Sequence, residues 1–307
     1  MGDRVFYRSF SSYLRERFGE KVYRISLDAG FTCPNRDGKI GTGGCTYCSP
    51  GGSWKGKAPR LPLEEQVLQG KGIIGRRYGA RKFIAYFQAY TNTYAPVETL
   101  KKIYDSVVRS DSDFVGISIG TRPDCVDEQT LELISSYRKH GLEVWIEYGL
   151  QSANDATLRL INRGHSAEDF SRAVLRRKHY DIMVSAHVIV GLPREKRDDV
   201  IRTARFVEAL PVDGIKIHNL NIVRGTKVAE MYRKGELVPL ALEEYAGLAV
   251  DFLEYTRPEV IVDRLVAESD PETLIEPRWS LDKRRALDAV KRAFEMRKSY
   301  QGKLVSH

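Results

Sequence analysis

VYRISLDAGFTCPNRDGKIGTGGCTYC, residues 22–48, joins a short apolar run to a loop that holds three of the chain's four cysteines, Cys33, Cys45 and Cys48. Val22 to Leu27 reads as a β-strand, being rich in β-branched and aromatic residues. The loop after it carries Gly38, Gly41, Gly43 and Gly44, so its backbone can wrap closely around a bound group. Three clustered thiolates suit a soft metal or an iron–sulfur cluster. A cluster held by three cysteines has one iron without a protein ligand, open to a substrate or cofactor. Structural zinc is the competing reading. It asks for four ligands, and the fourth would be the remote Cys125 or a histidine, of which the loop has none.

Downstream, apolar runs alternate with longer helical patterns. Lys82 to Phe87, Phe114 to Ile119, Glu143 to Tyr148, Met183 to Val190 and Gly214 to Leu220 read as five more strands. Helices are expected near 63–78, 97–109, 127–139, 154–178 and 195–209, the fourth broken at Arg163-Gly164-His165 and restarted by the capping box Ser166-Ala-Glu-Asp169. Such alternation implies βαβ units and a parallel sheet. The fold class expected is α/β, a partial (β/α)6 TIM-like barrel with N- and C-terminal helical additions. Catalytic loops then gather at the strand C-terminal ends, where the cysteine loop also falls. Phe6, Phe10, Tyr13, Leu14 and Phe18 predict a packing helix before the barrel. The tail predicts a helix near 241–256, a strand near 259–264 and a last helix from about Ser280. One domain spanning 1–307 is expected, with its core at about 20–225 and an extension at about 226–307.

No apolar stretch is long enough to span a bilayer, and Met1-Gly2-Asp3-Arg4-Val5-Phe6 has neither a signal core nor a myristoylation pattern. A cytoplasmic location is expected, with reduced cysteines and no membrane partner. Net charge is +8. Ser280 to His307 holds eight Lys/Arg against three acids, an excess of five. Such a segment suits nucleic-acid phosphates; a merely solvated helix face is the alternative.

Cys45-Thr46-Tyr47-Cys48 resembles the Cys-x-aromatic-Cys end of the radical S-adenosylmethionine (SAM) signature. Eleven residues separate Cys33 from Cys45, a long first gap that resembles the branch containing the Elongator catalytic subunit. The chain is most similar to the YhcC/YtqA-like (MnmL-type) radical SAM family. The matching stretches, in order, are FTCPNRDGKIGTGGCTYC (31–48), YFQAYTNTYAP (86–96), IGTRPDC (119–125), EYGLQSANDATLRLINRGH (147–165), VIVGLP (188–193), HNLNIVRGT (218–226) and RLVAESDPETLIEPRW (264–279).

The resemblance implies that Cys33, Cys45 and Cys48 hold a [4Fe–4S] cluster whose open iron is chelated by SAM, and that one electron cleaves SAM to methionine and a 5′-deoxyadenosyl radical. A donor such as flavodoxin or ferredoxin is implied with it. Gln88-Ala89-Tyr90-Thr91 stands where relatives carry Gly-Gly-Glu, so Gln88, Tyr90 and Thr91 are expected around the methionine ammonium. Gln151 and Arg163 match a Gln and an Arg that contact the SAM amino acid in coproporphyrinogen-oxidase-like relatives. Arg suits a carboxylate through its bidentate fork, although Arg163 also reads as a helix C-terminal charge. Gly191 is expected on the adenine side, where it permits close approach, and Tyr47 near the adenine. Glu147, a carboxylate in an otherwise apolar strand, needs a partner: a SAM hydroxyl or ammonium, or a buried Arg or Lys. His218, Asn219, Asn221, Arg224 and Arg264 are candidates to face the substrate, while Arg122 reads as a structural ion pair.

The family implies tRNA as partner and processing of a wobble uridine, from the carboxymethylaminomethyl to the aminomethyl group at C5. Two other readings stay open: the same radical chemistry on a small molecule or protein, and a non-catalytic zinc- or RNA-binding module.

Overall fold

Seven parallel strands curl around a common interior, the first six neighbouring one another in chain order and the seventh, Ile261–Arg264, added beside the sixth. The computed structural model of the protein describes residues 5–49 and 61–305. Met1–Arg4, part of the leader expectation, and the last two residues of the basic segment lie outside them. Helix α1 (Phe10–Phe18) and β1 (Val22–Leu27) come first. They are followed by α2 (Leu63–Tyr78), β2 (Lys82–Phe87), α3 (Val97–Val108), β3 (Phe114–Thr121), α4 (Glu128–Ser136), β4 (Glu143–Gln151), α5 (Asp155–Leu160), α6 (Ala167–Arg176), β5 (Met183–Val190), α7 (Arg197–Glu208) and β6 (Gly214–Asn219). The chain closes with β7 (Ile222–Val223), α8 (Lys227–Arg233), α9 (Leu242–Glu254), β8 (Ile261–Arg264), β9 (Leu274–Glu276) and α10 (Lys283–Arg297).

The six strands expected from the sequence all form. The seventh, β8, comes from the stretch expected as an extension and pairs with β6, so the partial barrel has seven strands rather than six. The small antiparallel pair β7 and β9 and helix α8 were not foreseen, because two- and three-residue strands carry no readable period. The expected break between α5 and α6 is present, and Ser166 and Asp169 form the capping box.

Parallel strands bury both faces, and all nine residues of β4 are buried. Their outer face packs on the helices. Inside, the side chains form layers. The bottom layer is apolar: Val22, Ile84, Trp145 and Ile261 meet Phe10 and Leu14 of α1, with Phe10 edge-on to Trp145 at 5.5 Å. Helix α1 therefore plugs the barrel floor, the packing role its spacing implied. Ser9, just before it, bridges Val262 and covers the edge of β8. At the far side Phe6 stacks on Phe294 of α10 at 5.3 Å. Above the plug the interior turns polar, which sets up the site.

Candidate functional site

Between the cysteine loop and the strand C-terminal ends lies a cavity of about 600 Å³. Cys33, Cys45 and Cys48 line it, and so do Tyr47, Gln88, Tyr90, Thr91, Glu147, Gln151 and Arg163. Of the contacts expected from the sequence, Gly191 alone stands elsewhere. It has φ 92° in the turn leaving β5, where a Cβ would meet Leu240 at 2.9 Å, and it lines a groove beside α7 and α9.

The cysteine loop is held by its neighbours. Asn35 Nδ2 donates to the Asn162 carbonyl at 2.5 Å, and Asn162 Nδ2 donates to the Gly44 carbonyl at 2.8 Å. Thr46 N–H reaches the Ile161 carbonyl, and the Thr46 carbonyl accepts from Val228 N–H in α8. Arg36 Nη2 donates to the carbonyls of Cys48 and Ser49. The turn after α5 thus clamps the loop, which explains why Asn162 takes φ 53°. Two cavity residues, Tyr90 and Gln151, also hold positive φ, 60° and 74°. Strain of this kind, of order 1–3 kcal/mol each, collects at functional sites.

Arg163 is buried and donates from Nη2 to the Gly149 carbonyl at 2.8 Å, while Nη1 lies 3.6 Å from Cys45 Sγ. It is therefore an interior side chain, not a solvated helix-end charge. Burial acts to raise the Cys45 thiol, but Arg163, a hydrogen bond from Tyr47 and the Arg122 charge outweigh it and hold the thiol below its usual range. Burial and the neighbouring Cys45 push Cys48 the other way, despite Arg36. Arg122 pairs with both oxygens of Asp124 at 2.9 and 2.8 Å and donates to the Arg163 carbonyl at 2.7 Å. This is the structural pairing expected of it, one step behind the site.

Among the described residues no three Cys, His, Asp or Glu side chains are close enough to share one metal ion. Three buried polar atoms at the cavity have no partner: Arg163 Nε, Thr91 Oγ1 and His218 Nε2. Buried polar groups are normally satisfied, so this is a chamber fitted to a polar occupant.

Glu147 lies fully buried at the cavity floor. Oε1 accepts from Ser118 at 2.7 Å and lies 2.8 Å from Arg24 Nη2 in an ion pair; Oε2 accepts from His187 at 2.7 Å and Lys216 at 2.5 Å. Burial alone would raise this carboxyl, but Arg24, Lys216 and His187 hold it well below the usual range. Asp263 completes the network with Arg24, and with Lys216 at 3.5 Å. The sequence flagged Glu147 as a charge in an apolar strand. The same signal marks Arg24 in VYRISL, Lys216 in GIKIHN and Asp263 in IVDR, which were not singled out. Gly149 was also missed as a site residue. A Cβ there would lie 2.5 Å from Arg163 Nη2 and 2.5 Å from Gln151 Nε2, so only glycine leaves room for this arrangement.

Residues 36–207 match the family model described as the Radical SAM superfamily, and 212–296 match the Radical SAM C-terminal domain. The chain is 42% identical to Bacillus subtilis YtqA over 298 residues, covering 97% of this chain and 92% of that protein. It is 26% identical over 157 residues, half of this chain and 33% of the other, to the tRNA uridine(34) acetyltransferase of Dehalococcoides mccartyi. In fold it is similar to the archaeal Methanocaldococcus infernus Elp3, with TM-score 0.66 at 18% identity, over 91% of this chain and 64% of that one. No helix among the described residues is long and apolar enough to cross a membrane.

Proposed function

The chain belongs to the radical SAM superfamily, and from that premise we propose that it modifies the C5 side chain of a tRNA wobble uridine, converting carboxymethylaminomethyl to aminomethyl. The observation that carries the radical chemistry is three cysteines on one loop facing a cavity with unpartnered buried polar atoms. Cys33, Cys45 and Cys48 would hold the [4Fe–4S] cluster, and Arg163 with Gln151 would receive the carboxylate end of SAM. Bound together, cluster and SAM supply reductive cleavage and hydrogen-atom abstraction. The chain supplies placement and exclusion of water. The clamp from Asn162 sets the loop, Gly149 sets Arg163, and the Glu147 network stiffens the floor beneath them. An electron donor such as flavodoxin or ferredoxin completes the reading.

Gly149→Ala tests the SAM end. The added methyl pushes Arg163 off its carbonyl and away from Cys45. SAM affinity should fall roughly tenfold, the worth of one charge-assisted contact, with iron loading unchanged. An unaltered SAM affinity by equilibrium dialysis would remove Arg163 from the SAM site.

The tRNA substrate is supported by the partial likeness to a tRNA uridine(34) acetyltransferase, by the net charge of +8 and by the exposed basic residues of α10, including Arg284, Arg285 and Arg292. Deleting the protein and analysing tRNA nucleosides by mass spectrometry should show carboxymethylaminomethyluridine accumulating at the expense of aminomethyl derivatives. An unchanged nucleoside profile would sink this substrate. If tRNA then fails to bind even at low salt, the chemistry belongs to a small molecule or a protein.

A further inference from the structure

One end of the cavity carries a positive charge that the protein does not answer. Gly149 pairs in register with His187, His187 with Lys216, and Lys216 with Arg264. Three strand spacings, roughly 14 Å along the sheet, thus separate Arg264 from Gly149, the point at which Arg163 docks beside Cys45. Both arginines line the same cavity, Arg264 on the strand three places along the sheet from β4.

The interior charges around Arg264 are already matched. Arg24 and Lys216 share the carboxylates of Glu147 and Asp263. On the wall loop, Glu268 pairs with Lys283 at 2.9 Å; Asp270 keeps its charge, its Oδ1 accepting the Glu272 N–H at 2.9 Å, and among the described residues it makes no ion pair with Arg264. Three cations therefore meet two carboxylates in the barrel interior, and Arg264 is the surplus one. Among the described residues its side chain has no ion pair or hydrogen bond, although it is partly buried. His218, two positions beyond Lys216 on β6, presents a buried Nε2 without a partner. Burial first, and then the Arg264 charge, keep this ring neutral, so it has one N–H to give. The wall is fixed in place: Asn219 Oδ1 accepts the Ala267 N–H at 2.9 Å, and Asn221 Nδ2 donates to the Ala267 carbonyl at 3.3 Å.

A cation partly withdrawn from water without a counter-ion is costly, and a guanidinium fork beside a ring N–H matches a carboxylate. We propose that Arg264 and His218 form a carboxylate subsite for the molecule on which the reaction acts. This rests on the tRNA reading above, in which the uridine side chain ends in a carboxylate before reaction and in an amine after it. The methionine carboxylate of SAM offers the same chemistry, but in that reading it lies beside the cysteines and Arg163, three strands away along the sheet. The subsite thus holds the group to be lost and releases the amine product, whose positive charge it repels.

The test uses anaerobically reconstituted protein without reductant, so that nothing turns over. Two anticodon stem-loop RNAs, with carboxymethylaminomethyl or aminomethyl at the wobble uridine, are titrated at one fixed salt concentration, and SAM is titrated separately. The wild type should bind the acid form about tenfold to a hundredfold more tightly. Arg264→Gln should erase that preference while leaving aminomethyl RNA and SAM affinities within about twofold; Arg264→Lys, which keeps the charge but not the fork, should retain part of it. Because the substitution removes a surplus, partly buried charge, Arg264→Gln should melt no lower than wild type. If the wild type discriminates and Arg264→Gln discriminates equally, the subsite is wrong and the tRNA reading stands. Loss of SAM affinity instead assigns the guanidinium to SAM and overturns the subsite. Equal binding of both RNAs by the wild type overturns the tRNA reading and the subsite with it.

Discussion

Cys45→Ala leaves a folded, colourless protein that no longer cleaves SAM. Of the three loop cysteines, Cys45 is the most deeply set, at 7% exposure, and it is the one that Arg163 addresses. Two remaining thiolates cannot hold a cluster with a single open iron, so iron content and SAM cleavage should fall together. The loss should exceed the 10–100-fold that removal of a supporting partner costs a metal site, which puts activity below detection. Cys125→Ala is the control. Cys125 sits outside the loop beside Asp124, where burial first, and then that neighbouring carboxylate, push its thiol up to about 12, so this variant should stay brown and active. SAM cleavage retained by Cys45→Ala, at wild-type iron content, would refute the cluster assignment.

Glu147→Gln should cost more stability than any surface change. The carboxylate is fully buried against Arg24 and Lys216, and removing one member of a buried ion pair typically costs 3–5 kcal/mol. That is a large share of the roughly 5–15 kcal/mol that holds a protein folded, and in a chain of this length it corresponds to a fall in melting temperature of roughly 5–8 °C. Replacing Lys216 by Met in the same chain should recover part of the loss, because the second uncompensated charge goes with it. The pH dependence follows from the direction of the shift. The folded-state carboxyl titrates well below 4.5, so its contribution is fully present above that value and disappears only as pH falls through the lower, folded-state pKa. The gap between wild type and Glu147→Gln should therefore be constant from neutral pH to about 5 and close only in stronger acid. A gap that closes near neutrality, or a variant as stable as wild type, would show that Glu147 is not the ionised centre of this network.

Much of the candidate site's lining was legible in the sequence because it is local. Cys33, Cys45 and Cys48 fall in one loop, and Gln88, Tyr90, Gln151 and Arg163 fall at strand ends or the turn after α5. A strand–helix alternation sends all such positions to one mouth of the sheet. Placement of these residues around one cavity agrees with that logic, and Gly191 departs from it because its turn bends away toward Leu240. The alternatives left open for Glu147 and Arg163 were of another kind. Each depended on which side of a strand or turn faced inward, and in a parallel sheet both sides are apolar and buried.

The strand–helix alternation, the cysteine loop and membership in the radical SAM superfamily follow from the linear chain, since periodicity and short motifs report on neighbours within a few residues. Folding was needed to give Glu147 its partners. Lys216 lies 69 positions away, and the Arg24 that shares it with Asp263 is separated from Asp263 by 239. Folding also brought β8 into the sheet, made Gly149 the seat of Arg163, and left Arg264 unanswered on β8. Those facts depend on how seven strands curl toward one another. Curl is set by the packing of the whole barrel over α1, and no window of sequence contains it.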